Sequence, residues 1–211
     1  MAAKTKPSKT PPRHLKAKHR HREVWLDQAM HFVRRHFAAN DYTVPEHVRV
    51  GVGWPSRGAL SEKKRTIGQA WTNECSADNV HEIIISLWLD DPIKVLGVLI
   101  HEVIHVTVGV EHGHKKPFTD CMKEVGLCGK ATATEETPEL VEQLKVWVKE
   151  LGQYPHAKLD GLKKEKKQST RLLKMECGAC GCVIRTTQKW VDEHGDGWDC
   201  PCQEGSFTLS D

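Results

Sequence analysis

Two histidines and one glutamate near the middle of the chain have a spacing that suits metal-dependent hydrolysis. They lie in the stretch His101-Glu102-Val103-Ile104-His105. Residues four apart share one face of an α-helix, so His101 and His105 can direct imidazole nitrogens at a single metal ion. Glu102 lies about 100° round the helix from His101, where it can take a proton from a water molecule activated by the metal. The spacing predicts a zinc-binding helix with an adjacent general base.

The residues around this stretch predict that the helix is buried. Asp91 is a suitable N-cap and Pro92 occupies the favoured first helical position, so we expect a helix from Pro92 to about Val108 that ends at Gly109. The segment is apolar on nearly every side, which is typical of a core helix. Histidine and glutamate are costly in such surroundings unless they are paired or bind a metal. The alternative is that the histidines are core residues satisfied by hydrogen bonds.

A third metal ligand must come from beyond the helix. Gly109 can turn the chain so that a downstream side chain folds back towards His101 and His105. Several downstream residues carry suitable donor atoms: Glu111, His112, His114, Asp120 and Glu124. Spacing alone leaves all of them open.

The run from His101 to Phe118 resembles the SprT-like (Spartan-related) family of zinc metallopeptidases, and in particular its compact bacteriophage versions. That family carries HExxH followed by a short loop and Gly-His-x-x-x-Phe, and Gly113, His114 and Phe118 stand at those positions. The resemblance implies that Glu102 is the base. His112 has no assigned role in that pattern and is the runner-up for third ligand. It also implies one catalytic zinc ion, bound by His101, His105 and His114.

A second candidate metal site lies near the end of the chain, where five of the eight cysteines fall within the last 36 residues. A C-x-x-C-G knuckle at Cys177 and Cys180 is followed, after 19 residues, by Cys200-Pro201-Cys202. This spacing is typical of a zinc ribbon in a reducing compartment. The predicted ligands of one structural zinc ion are Cys177, Cys180, Cys200 and Cys202. Because the second pair is C-P-C, with one residue fewer than usual, Cys182 or His194 can substitute.

The charge distribution suggests contact with a polyanion. Residues 1–22 carry eight Lys or Arg and no acid, and residues 156–175 carry seven against two acids, whereas residues 176–211 carry two against seven. Basic segments of this kind bind phosphates or are simply solvated. The candidate nucleic-acid contacts are Lys163, Lys164, Lys166, Lys167, Arg171 and Lys174. Trp190 and Trp198 are either base-stacking residues or ribbon core.

The order of elements predicts an α+β fold, with a small sheet packed against helices in a zincin-like domain and a small zinc-ribbon module. We expect a disordered basic tail over 1–22, a SprT-like domain over 23–155, a basic linker over 156–175 and the ribbon over 176–211. Strands are predicted over His47–Trp54, Ile67–Thr72 and His81–Leu89, and a polar loop after Gly126.

Hydropathy predicts neither a membrane span nor a secretory signal, so we expect a cytoplasmic protein, in the host cytoplasm if it is phage-encoded. The family resemblance implies a zinc endopeptidase that cleaves proteins bound or crosslinked to single-stranded or other DNA, in the repair of DNA–protein crosslinks. Two alternatives stay open: a non-catalytic zinc-ribbon adaptor that binds nucleic acid, and a metalloprotease that acts without DNA.

Overall fold

A computed structural model describes residues 16–161, 172–195 and 197–210. The chain divides into two compact units, residues 1–162 (unit 1) and residues 163–211 (unit 2). Both contain helices and small sheets, so the protein is of the mixed α+β class. None of the described helices combines the length and the apolar character that a membrane crossing requires.

Unit 1 contains four described α-helices and five described strands, together with two short 3-10 turns at Asn73–Cys75 and Val110–His112. In chain order they are α1 (Arg22–Ala38), β1 (Val48–Gly53), β2 (Gly68–Trp71), β3 (His81–Ser86), α2 (Pro92–Val108), α3 (Lys116–Glu124), β4 (Leu127–Lys130), β5 (Ala133–Glu136) and α4 (Pro138–Leu151). The three strands predicted upstream of α2 are therefore confirmed, with shorter ends.

The main sheet of unit 1 has the order β1-β3-β2, with β1 parallel and β2 antiparallel to the central strand β3. Helix α2 packs against this sheet, and α1, α3 and α4 complete one continuous core with it. The apolar residues of α1 recur at helical spacing and are all buried: Trp25, Leu26, Ala29, Met30, Val33 and Phe37. Unit 1 thus has a core large enough to hold α2 rigidly.

Helix α2 begins and ends where its sequence predicts. The Asp91 side chain accepts a hydrogen bond from the Lys94 backbone N–H at 2.9 Å, and Pro92 follows the cap. At the other end Gly109 adopts φ 101°, which turns the chain away from the helix axis. The ten buried residues of α2 include Glu102 and His105, so the predicted core helix is confirmed.

The polar loop expected after Gly126 is wrong, because the segment forms the hairpin β4–β5. The strands pair antiparallel, with Leu127 opposite Glu136 and Lys130 opposite Ala133. Most of the hairpin side chains are exposed or half-buried, so the sequence shows no clear apolar alternation there. Tertiary contact with α2 stabilises a hairpin that local preference does not signal.

Unit 2 is a four-stranded antiparallel sheet with one short helix. Its described elements are β6 (Leu173–Cys177), β7 (Val183–Thr186), α5 (Gln188–His194), β8 (Trp198–Asp199) and β9 (Ser206–Leu209), and the sheet order is β7-β6-β9-β8. The alternation of Val183 and Arg185 with Ile184 and Thr186 predicts β7, whereas the sequence does not predict β6, α5, β8 or β9. The buried core of this unit consists of only Met175, Cys177, Cys200 and Phe207 among its described residues.

Candidate metal centres

Three histidines of unit 1 converge on one point. His101 and His105 lie one turn apart on α2, and His114 reaches them through the bend formed by Gly109 and by Gly113, whose φ is 52°. Nitrogen atoms of the three imidazoles all lie within 4.8 Å of one another. His101 is half-buried, His105 is buried and His114 is exposed, so the group opens to solvent on the His114 side.

The spacing of the imidazoles fits a tetrahedral metal ion. The Nε2 atoms of His101 and His114 are 3.3 Å apart. Zinc–nitrogen bonds of about 2.0–2.1 Å at tetrahedral angles place ligand nitrogens about 3.3 Å apart. The Nδ1 atom of His101 is 3.0 Å from the Thr134 hydroxyl on β5, which can accept the Nδ1–H bond and leave the Nε2 lone pair free. The donor set and its geometry therefore fit zinc.

A single aromatic ring supports all three imidazoles. Phe118, on α3, is fully buried, and its ring centroid lies 4.9, 4.5 and 4.8 Å from those of His101, His105 and His114. Packed rings of this kind restrict the rotation of the histidine side chains. Phe118 therefore gives a physical reason for the aromatic residue at the end of the Gly-His-x-x-x-Phe pattern.

Burial keeps the imidazoles neutral. It lowers the pKa of His101 to about 3 and that of His105 to about 4, and it also lowers the pKa of His114. Proximity of the rings to one another adds to the effect for His101 and His105, because one imidazolium disfavours a second. All three side chains thus offer lone pairs to a cation at neutral pH.

Glu102 lies on the flank of α2 that faces β2. Its side chain is almost fully buried, and burial raises the pKa of its carboxyl to about 8. Its carboxylate packs against Gly68 of β2. Among the residues that the structure describes, no donor forms a hydrogen bond with this carboxylate. A carboxyl group with a pKa near neutrality is suited to proton transfer.

The other candidates for third ligand point elsewhere. The imidazole of His112 lies 3.8 Å from the Glu111 carboxylate. Asp120 pairs with Lys116 at 2.5 Å, and Glu124 accepts a hydrogen bond from the Tyr42 hydroxyl at 2.7 Å. Of the five residues left open by spacing, the structure brings only His114 to the two helical histidines.

Comparisons with protein-family models, with curated proteins and with solved structures give no match.

Four cysteines of unit 2 form a second donor cluster. It consists of Cys177, Cys180, Cys200 and Cys202, whose sulfur atoms all lie within 4.8 Å of one another. Two of the sulfur–sulfur distances are 3.8 Å (Cys177 to Cys202) and 3.6 Å (Cys180 to Cys200). Four zinc–sulfur bonds of about 2.3 Å at tetrahedral angles give about 3.8 Å. The backbone N–H of Cys180 lowers the pKa of the Cys177 thiol to about 7, which favours the thiolate.

The two suggested substitutes for a ribbon ligand lie outside this cluster. Cys182 is exposed, and the His194 ring stacks on the exposed Trp190 at 4.9 Å between centroids. The missing residue of the C-P-C sequence therefore does not prevent four sulfurs from converging. Trp198 packs partly buried against the small core of unit 2, which agrees with the ribbon-core interpretation for that tryptophan.

Most of the candidate nucleic-acid contacts cannot be placed. Five of them lie outside the described residues: Lys163, Lys164, Lys166, Lys167 and Arg171. Lys174 lies on β6, where its ammonium group is 2.7 Å from the Glu176 carboxylate. In the tail, Lys18 donates a hydrogen bond to the backbone carbonyl of Glu150 at 2.7 Å, so contacts with α4 begin before α1.

Sequence analysis missed two residues that shape the histidine site. Thr134 lies on the hairpin that was expected to be a loop, and Gly68 lies on a strand with no chemical motif. A threonine 33 residues from His101 gives no sequence signal of contact. A glycine inside a predicted strand does give one, because it often marks a close approach of another group.

Proposed function

We propose that unit 1 is a zinc metallopeptidase domain of SprT-like, zincin-like type, which hydrolyses peptide bonds in proteins bound or crosslinked to DNA. The observation that carries the proposal is the convergence of three imidazoles, two of which have nitrogens at the separation of tetrahedral zinc ligands, with a buried carboxylate on the residue after His101. Three protein ligands leave one coordination position for water or substrate, which distinguishes catalytic from structural zinc sites.

Each residue then has a defined task. His101, His105 and His114 hold the ion, which when bound supplies Lewis acidity to the water and to the peptide carbonyl. Glu102 accepts the proton that the water loses as its oxygen bonds to the carbonyl carbon. When the C–N bond breaks, Glu102 returns that proton to the leaving amine. Burial raises the pKa of Glu102 in the metal-free chain, and a cation held by the three histidines would lower it again, so that the ionised carboxylate can accept the proton.

The outer edge of β2, where Gly68 is buried and Ala70 is half-buried, is the proposed place for the substrate backbone. The backbone N–H of Ser86 donates a hydrogen bond to the Ile67 carbonyl at 3.0 Å. Hydrogen-bonded and non-hydrogen-bonded pairs alternate along an antiparallel ladder, so the backbone N–H and C=O groups of Gly68 and Ala70 face away from β3. In the described part of the chain no other backbone group pairs with them. An extended peptide added to this edge would pass beside Glu102.

Unit 2 is proposed to be a zinc ribbon with a structural role. Four sulfur ligands close the coordination sphere, so no position is left for substrate. Its four-residue core is too small to stabilise a fold of this size by apolar burial alone. Zinc binding at the cysteines would supply the missing stabilisation.

The DNA part of the proposal is supported by basic residues in unit 1 as well as by the linker. Arg57, Lys63 and Lys64 are exposed on the loop that precedes β2. Next to it the guanidinium group of Arg65 and the ammonium group of Lys158 lie 3.3 and 3.7 Å from the ring centroid of Trp88. Cations gathered in this way bind phosphates in a salt-dependent manner.

The deciding experiment combines zinc analysis with proteolysis of a protein substrate in the presence and absence of single-stranded DNA. The wild-type chain should bind two zinc ions and cleave the substrate, faster with DNA. Glu102→Gln should keep both ions and lose cleavage by about 10²–10⁴-fold, the range for removal of a general base. Glu62→Gln, at an exposed loop position, is the matched control.

Three outcomes separate the alternatives. Cleavage that survives in Glu102→Gln would refute the assignment of the base. Cleavage that is equal with and without DNA would favour a DNA-independent protease. Absence of cleavage by a zinc-loaded wild type would favour the adaptor. If basic residues carry DNA binding, affinity should also fall steeply with salt concentration, and Lys63→Gln/Lys64→Gln should reduce the slope.

A further inference from the structure

The carboxylate of Glu102 occupies space that a side chain on Gly68 would need. A β-carbon built on Gly68 would lie 2.3 Å from Oε1 of Glu102 and 2.9 Å from its Cδ atom. It would also lie 2.6 Å from Cγ1 of Val98, one helical turn before Glu102. Gly68 therefore leaves a slot between β2 and α2, and the carboxylate of Glu102 fills it.

The backbone of Gly68 does not explain the choice of residue. Gly68 is not among the glycines with positive φ, and it lies within the antiparallel ladder opposite Ile85. Any residue can adopt an extended conformation of this kind. Glycine within a strand costs stability, because it loses more entropy on folding and offers no side chain to pack. The space that it leaves for Glu102 is thus the reason that the structure gives for a glycine here.

Other glycines of the same sheet do not share this property. A β-carbon on Gly51 of β1 would approach only Ile84 Cδ1, at 3.8 Å, and one on Gly53 would lie 3.6 Å from Ile84 Cγ2. Both distances are ordinary van der Waals contacts. Within this sheet the steric requirement is therefore specific to Gly68, beside Glu102.

A second buried carboxylate shows how Glu102 differs from an ion-paired one. On the opposite flank of α2, Glu136 packs onto Gly97, where a β-carbon would lie 2.0 Å from its Oε1 atom. Lys94 holds that carboxylate through an ion pair of 2.5 Å. Glu102 has no such partner among the described residues, so packing alone fixes the position of its carboxylate.

We propose that Gly68 is a positioning residue for the general base: its missing side chain holds the Glu102 carboxylate in a steric slot beside the three histidines. This inference rests on the proposed function. A β-carbon at position 68 would displace the carboxylate, and a misplacement of about 1 Å at a reacting group can cost about 10²-fold in rate.

The first test measures proteolysis and zinc content of the full chain carrying Gly68→Ala. We expect kcat to fall by about 10²-fold with KM and zinc content nearly unchanged, because the histidines are untouched. Gly51→Ala, on the other outer strand of the sheet, is the control and should keep wild-type kcat. A Gly68→Ala variant with normal kcat would overturn the proposal. An inactive wild type would instead refute the proposed function, and the second test would still apply.

The second test needs no activity. The thermal unfolding transition of unit 1 in the full chain is compared for wild type, Gly68→Ala, Glu102→Ala and the double variant. If the slot is built for the carboxylate, Gly68→Ala should lower Tm by about 5 °C or more in the wild-type background and by clearly less in the Glu102→Ala background. Equal shifts in the two backgrounds, or unfolding in both, would assign Gly68 to packing of the sheet on α2 and overturn the proposal.

Discussion

The two donor clusters of this chain differ in the structures that build them. In unit 1, three imidazoles come from one long buried helix and from a segment that returns after two glycines, and Phe118 packs against all of them. In unit 2, four sulfurs come from the end of β6 and from two short turns next to a small sheet. The first cluster is part of a large core, whereas the second largely replaces a core.

In unit 1 the fold holds the donor atoms in place, whereas in unit 2 the donor cluster itself is needed to hold the fold together. The core of unit 1 joins α1, α2, α3 and α4 with β3, so it can fold around the histidines without a metal ion. Unit 2 buries few apolar residues, and two of the four in its core are themselves cysteines of the cluster. Metal binding and folding should therefore be coupled in unit 2 and largely independent in unit 1.

The largest effect should come from Cys200→Ser. Structural zinc in small modules contributes about 10–16 kcal/mol of binding free energy, and loss of one ligand should forfeit enough of it to unfold unit 2. Hydrogen exchange measured by mass spectrometry should lose protection over β6–β9 and keep it over α1 and α2. Cys182→Ser, which alters an exposed cysteine outside the cluster, should leave both units protected. If β6 stays protected in Cys200→Ser, folding of unit 2 does not depend on metal binding, and the proposed difference between the two units is wrong.

Phe118→Ala should produce the next largest effect, in unit 1. Truncation of a fully buried phenylalanine lowers the free energy of unfolding by about 3–5 kcal/mol. The imidazoles would also lose their common support, so zinc affinity should fall. Urea unfolding and zinc titration measure the two losses, with the half-exposed Val146→Ala as control. A large loss of affinity with little loss of stability would show that the ring serves the metal site alone.

The pH dependence of unit 1 should reveal the free-energy cost of burying the Glu102 carboxyl group. In the metal-free chain the raised pKa of Glu102 gives a stabilising contribution that is present below about pH 4.5 and lost as pH rises through about 8. The lowered pKa values of His101 and His105 act in the opposite direction, and stability falls as pH drops below about 6.5.

Glu102→Gln isolates the first of these contributions. Between pH 4.5 and 8 the variant should gain stability relative to wild type, by up to about 1.4 kcal/mol per pH unit. The difference in free energy of unfolding is measured by urea unfolding of chelator-treated protein, with hydrogen exchange in α2 as the signal. A constant difference across this range would mean that Glu102 ionises freely in the folded protein.

The smallest effect should follow from Thr134→Val. Removal of the hydroxyl that bonds His101 Nδ1 should weaken zinc binding by the histidines by about 10–100-fold, as for other groups that orient a metal ligand. Competition with a chelator measures the affinity, and Thr132→Val at an exposed position of the same hairpin is the control. If Thr134→Val binds zinc as tightly as the wild type, the hairpin β4–β5 does not contribute to metal binding at the histidines.

Local chemistry predicted much of the fold. An N-cap residue followed by a proline precedes both α2 (Asp91) and α4 (Thr137), and a glycine follows each helix, so the bounds of both agree with local sequence signals. The hairpin β4–β5, the strands β6, β8 and β9 and the helix α5 were not predicted, because their side chains do not alternate or repeat clearly between apolar and polar. Contacts with the rest of each unit decide those elements.

In the histidine site, too, some positions follow from local sequence and others depend on tertiary contacts. Helical geometry places His101 and His105 together and puts Glu102 beside them, so the spacing of three residues was sufficient to predict those positions. Spacing alone did not identify the third ligand, and the choice of His114 came only from the family resemblance. Its place beside the other two depends on the backbone at Gly109 and Gly113 and on the packing of α3.

The sequence by itself determined a buried helix with two side chains that could bind a metal and a carboxylate, and a cysteine-rich module after it. It could do so because helical periodicity and short loops act within a few residues. Only the tertiary structure decided that His114 meets the pair, that Thr134 orients His101, and that Gly68 makes room for Glu102. These contacts join residues that are far apart in the chain, and only packing of the whole unit brings them together.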